Sequence, residues 1–127
     1  NEWEPAPGAL GWMGGTPSIP ALYSARAGYE IIAEVGTDRI RATHEVLTSH
    51  LVAAARGHGF TVNSPLTVEH RAGGVTLSLG DRTAAAAERL IAEGIVVDYR
   101  PGGGIRVGAH FFNTIEELDR LIQAMRR

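Results

Sequence analysis

Few side chains in this chain have the type and setting to do chemistry. Arg106 sits inside the apolar run Ile105-Arg106-Val107, directly after the glycine turn Gly102-Gly103-Gly104. An arginine placed there either pairs with an internal carboxylate, with Asp98 as the hairpin neighbour, or grips a ligand anion through its planar fork. On residues alone the pairing with Asp98 is the simpler account. Arg100 faces the same choice nearer the turn, where a solvated guanidinium is the ordinary outcome. Gly14-Gly15-Thr16-Pro17 runs into a helix start. The N–H groups of Gly15 and Thr16 and the Thr16 hydroxyl could meet an anion there, although a plain loop would read the same way.

The remaining candidates are weaker. The chain has five histidines and no cysteine. His44 and His50 are six apart on a helix and do not share a face, and no histidine pair has the i, i+4 spacing of a metal site. His110 follows a strand end and reads as a hydrogen-bonded loop histidine, or as one that approaches a site. Without cysteine there are no disulfides, no thiolate nucleophile and no thiolate metal site. Lysine is absent too, so the side-chain amine that a Schiff base requires is not in this sequence. Arginine does not replace it, because the guanidinium stays protonated.

These residues need a scaffold. A length of 127 residues fits one domain, with a composition ordinary for a globular chain. The formal charge of −2 with no basic stripe argues against nucleic acid as a partner. No apolar run reaches the ~20 residues of a membrane span, and Asn1-Glu2-Trp3-Glu4 is not a signal peptide. The lack of cysteine is compatible with the cytoplasm.

Residues 1–17, rich in proline and glycine, read as an extended arm that carries Trp3, Leu10, Trp12 and Met13. Apolar residues on an arm usually lie against another surface. Leu22, Ala25, Tyr29, Ile32 and Ala33 recur at helical spacing, with Ser18 as cap, Pro20 in the first turn and Gly36 as the stop. Thr37 caps a second helix to about Arg56, with Ile40, Val46, Leu47, Leu51 and Ala54 as its apolar stripe. Phe60-Thr61-Val62 is a short strand, and Val75, Leu77 and Leu79 alternate as a second. Asp81 caps a third helix through Ala92. Ile95-Val96-Val97 reads as a buried strand, and Arg100 to Gly104 as a turn into the strand Ile105–Val107. Thr114 with Glu117 has capping-box spacing at the last helix. The expected fold is α/β: a small, mostly antiparallel four-stranded sheet with helices on one face, plus the N-terminal arm.

Several segments carry a resemblance. Gly104-Ile105-Arg106-Val107-Gly108-Ala109-His110-Phe111-Phe112-Asn113-Thr114, followed by Glu116-Glu117-Leu118-Asp119-Arg120-Leu121, resembles the C-terminal signature of class-V aminotransferase-fold enzymes. Gly94-Ile95-Val96-Val97-Asp98-Tyr99-Arg100, Trp3-Glu4-Pro5-Ala6-Pro7-Gly8, Gly15-Thr16-Pro17 and Arg71-Ala72-Gly73-Gly74-Val75-Thr76-Leu77 are similar to kynureninase segments, in the same order. The resemblance implies the small C-terminal domain, residues 18–127, of a dimeric fold type I enzyme that uses pyridoxal phosphate. The arm would lead to a large domain holding the Schiff-base lysine. It implies that Arg106 grips the substrate α-carboxylate and that Gly15 and Thr16 reach the cofactor region. It further implies hydrolysis of L-kynurenine to anthranilate and L-alanine, a step of tryptophan catabolism. This segment alone would then be inactive and bind no cofactor. A class-V aminotransferase or epimerase-like enzyme fits the same residues, and a non-catalytic binding domain is the reading outside enzymes. The cysteine-desulfurase branch carries a reactive cysteine between the last two strands, where this chain has Arg-Pro-Gly-Gly-Gly.

Overall fold

A computed structural model describes residues 4–127. Trp3, assigned to the arm, lies outside the described residues. The chain divides into two compact units, Asn1–Val35 and Gly36–Arg127.

In the first unit a single 3-10 turn, Gly8–Trp12, interrupts the arm. Helix α1 spans Ile19–Val35. Pro20 stands in its first turn, where a missing N–H costs nothing, and the Ser18 carbonyl accepts from Leu22 N–H at 3.2 Å. No residue of α1 is buried.

The second unit holds the core. Helix α2 spans Thr37–Gly57. Thr37 is its first residue rather than its cap: Gly36, at φ +87, is the N-cap and offers no side-chain acceptor. Strand β1 is Thr61–Val62 and β2 is Gly74–Ser78. Helix α3 covers Thr83–Ala92. Asp81 does not cap it. The residue ahead of α3 is Arg82, and Thr83 itself ties the turn, its Oγ1 accepting from Leu79 N–H and donating to Gly80 O.

Strand β3 is Asp98–Arg100, β4 is Gly104–Gly108, and α4 is Ile115–Met125. The strand expected at Ile95–Val97 is displaced. Those residues are not in the sheet, and Val96 is 94% exposed, while Ile95 and Val97 touch the core from the side. An apolar triplet does not reveal which of its neighbours supplies the ladder bonds, and here the polar Asp98-Tyr99-Arg100 does.

The sheet order is β1-β2-β4-β3, with every pair antiparallel. Val75 lies opposite Val107 and Leu77 opposite Ile105. All four side chains are buried and share one face, because strand side chains alternate. On that face pack Leu47, Leu51, Val52 and Ala55 of α2, Ala86, Ala87 and Leu90 of α3, and Leu118, Leu121, Ile122 and Met125 of α4. The α2 stripe differs from expectation at Val46, which is 63% exposed, while Thr48 is buried and donates to the His44 carbonyl. At α4 the capping box forms: Thr114 Oγ1 accepts from Glu117 N–H, and Glu117 Oε2 accepts from Thr114 N–H. The other face of the sheet carries no helix of this unit, and it presents Thr76, Asp98 and Arg106 side by side.

Candidate functional site

Arg106 stands at the middle of β4 with its neighbours fixed by register: Thr76 of β2 on one side and Asp98 of β3 on the other. Its guanidinium Nη2 lies 2.7 Å from Asp98 Oδ2, with side chains 55% and 41% exposed. Arg100, two residues along the same face, donates from Nε to the same Oδ2 at 2.8 Å. The internal pairing read from the sequence is therefore present, but at the surface of the open face. Exposed ion pairs of this kind contribute about 0–1 kcal/mol to a fold. Two guanidinium groups share one carboxylate, so the cluster keeps a net positive charge. It can take a further anion, and the arginine fork suits a carboxylate geometrically.

Gly104 makes room for this arrangement. It lies opposite Arg100, has φ +121, and a Cβ there would run into the Leu77 carbonyl oxygen. No side chain therefore stands across the ladder from Arg100.

A second cluster lies at the end of the sheet where β2 begins and β4 finishes. His110 stacks on Phe112 with centroids 4.9 Å apart, and His44 of α2 meets its edge at 5.3 Å. His44 Nε2 and His110 Nδ1 are buried without a protein partner. His44 is held below the ordinary histidine range by burial first, then by the nearby His110 and Arg41. A Cβ on Gly73 would come to 3.0 Å from the His44 ring and from Ala109 O, so a side chain there would have to push the ring aside. Arg41 donates to the carbonyls of Arg71 and Val68. Arg71 is 4% exposed and donates to the carbonyls of Pro65 and Leu66 at 2.9 Å each.

The reading of His110 as a hydrogen-bonded loop residue holds for its backbone, whose N–H donates to Asn113 Oδ1 at 2.8 Å. The ring instead packs among aromatics. Sequence patterning did not find the histidine cluster, which joins residues distant in the chain, or the buried Arg71, whose partners are backbone carbonyls of a loop five and six residues earlier and leave no residue-type signature. The Gly73-Gly74 pair beside Arg71 was the one local signal. Among the described residues no group of three or more His, Asp or Glu could hold a metal ion.

Gly15 and Thr16 belong to the first unit, on an exposed bend just ahead of α1. Helix α1 begins at Ile19, so Gly15 and Thr16 lie ahead of its free N–H groups and not among them.

Comparison with known proteins decides the family. Residues 37–125 match the kynureninase C-terminal domain family. The chain belongs to it. It is 28% identical over 109 residues to the kynureninase of Koribacter versatilis, covering 84% of this chain and 26% of that protein. It is 33% identical over 120 residues to the isopenicillin N epimerase of Streptomyces clavuligerus, covering 87% of this chain and 30% of that protein. The apo cysteine desulfurase of Thermococcus onnurineus shares the fold, with a TM-score of 0.80 at 21% identity over 93% of this chain and 33% of that one. The chain thus spans about a quarter to a third of the relatives it matches. No described helix is long and apolar enough to cross a membrane.

Proposed function

We propose that this chain works as the small domain of a longer, dimeric pyridoxal-phosphate enzyme. In that enzyme Arg106 would bind the α-carboxylate of an amino-acid substrate. One observation carries the reading: in a chain of the family, the arginine at the centre of β4 stands on the open face with its guanidinium half exposed. Half exposure leaves the guanidinium within reach of a ligand, and its one ion-pair partner among the described residues, Asp98, is itself at the surface.

The fit to the cofactor is partial. The sequence holds no lysine, so no side chain of this chain makes the covalent link. The Gly15 and Thr16 N–H groups and the Thr16 hydroxyl suit an oxyanion of the cofactor or substrate in the partner subunit. Pyridoxal phosphate, when bound, supplies an electron sink for bonds broken at the substrate. The part of this chain is orientation. A two-point grip on the carboxylate fixes how the substrate's Cα bonds lie, which converts binding into rate. The favoured reaction is hydrolysis of L-kynurenine to anthranilate and L-alanine.

A second reading, an epimerase-like or class-V aminotransferase reaction, draws on the 33% identity to the epimerase. Product analysis on the longer protein tests both. Anthranilate fluorescence with stoichiometric alanine is the expected outcome. Inversion at Cα or transfer of the amino group without anthranilate would select the second reading.

A further inference from the structure

Asp98 occupies an unusual position on the open face. It is the cross-strand partner of Arg106, and it is two residues from Arg100 on a three-residue strand, so all three side chains project from the same side. Its single oxygen Oδ2 meets Arg106 Nη2 at 2.7 Å and Arg100 Nε at 2.8 Å.

We propose that Asp98 is a positioning residue for Arg106, and that Arg100 is the counter-ion that keeps Asp98 from neutralising it. The proposal rests on Arg106 as the carboxylate grip. An arginine at the surface has several freely rotating bonds and samples many orientations. A carboxylate beneath one end of its guanidinium selects one of them. The contact takes one N–H of Nη2, and among the described residues Arg106 has no other side-chain partner, so the second Nη2 N–H and the nitrogen beside it remain as one fork edge for a ligand carboxylate. With Arg106 alone, Asp98 would form a neutral pair and compete with the incoming carboxylate. With Arg100 bonded to the same oxygen, the trio keeps one positive charge, and Asp98 stays anchored beneath Arg106 while the free edge of the guanidinium takes the ligand. Gly104, opposite Arg100, leaves that side of the ladder free of any side chain.

The test uses the longer enzyme with L-kynurenine and, as a control ligand, the amine analogue that lacks the α-carboxylate. Asp98→Asn should raise KM by about tenfold, more than it lowers kcat, as misorientation of a grip does. Asp98→Glu should recover part of that loss. Arg100→Gln should also raise KM, since Asp98 is then free to close on Arg106. Inhibition by the amine analogue should be unchanged in all three, which a general loss of structure would not allow. An unchanged or lower KM in Asp98→Asn, with Arg106→Lys still raising KM, would overturn the positioning role and leave the carboxylate grip standing. If Arg106→Lys also leaves KM unchanged, the grip itself is wrong.

Discussion

The chain contains three kinds of arginine setting, and they make opposite forecasts. Arg106 and Asp98 are half exposed, so Arg106→Ala should cost the fold under about 1 kcal/mol in a denaturant melt. Arg71 is enclosed, with two carbonyls of the 65–66 segment bonded to one of its nitrogens. Arg71→Met should therefore lower stability by about 2–4 kcal/mol, since hydrogen bonds to a charged group are lost and the carbonyls are stranded. Arg41 lies between these, tied to two carbonyls and to Glu45. His44 adds a pH dependence of definite sign. Burial, His110 and Arg41 all lower its pKa from the ordinary 6.5. The unfolded chain therefore binds this proton more readily than the folded one. The contribution of neutral His44 is fully present above the ordinary value, and it is lost as pH falls below it towards the folded value. Melting temperature should drop as pH falls through the ordinary histidine value, and His44→Gln should flatten that part of the profile.

At the level of elements, Gly104 and Thr114 are the points where local chemistry sets the frame of the site. Gly104→Ala combines a strained φ with a collision against the Leu77 carbonyl, so β4 must shift where it carries Arg106. The expected cost is about 2–4 kcal/mol, readable by thermal melt. Thr114→Ala removes one half of a capping box and should cost about 1 kcal/mol. The capping box was legible in the sequence because it depends on two residues three apart. So was the alternation of Val75 and Leu77, and so was the Asp98–Arg106 pairing, since a short hairpin fixes its own register. Ile95–Val97 misled because Ile95 and Val97 serve side contacts to the core instead of ladder pairing, while Val96 is exposed. Asp81 misled because a nearer residue, Thr83, ties the same turn. The His44–His110 contact was invisible, since it joins α2 to the end of β4 across more than half the chain.

At the scale of the whole molecule, the second unit has its own core, whereas the whole of α1 offers no buried residue. Family membership rests on residues 37–125, which contain the sheet and its open face. A chain without lysine should give no side-chain adduct when treated with pyridoxal phosphate and borohydride. Peptide mapping checks this and separates any reaction at the α-amine of Asn1. The central claim is that Arg106 is held for a substrate carboxylate and not for the fold. The most direct measurement sets steady-state kinetics of Arg106→Ala in the longer enzyme beside its denaturant melt. The account predicts a fall in kcat/KM of about a hundredfold or more, from loss of a bidentate charge-assisted pair, with stability within about 1 kcal/mol of the parent. A stability loss of about 3–5 kcal/mol with unchanged kcat/KM would make Arg106 a structural partner of Asp98 and contradict the account.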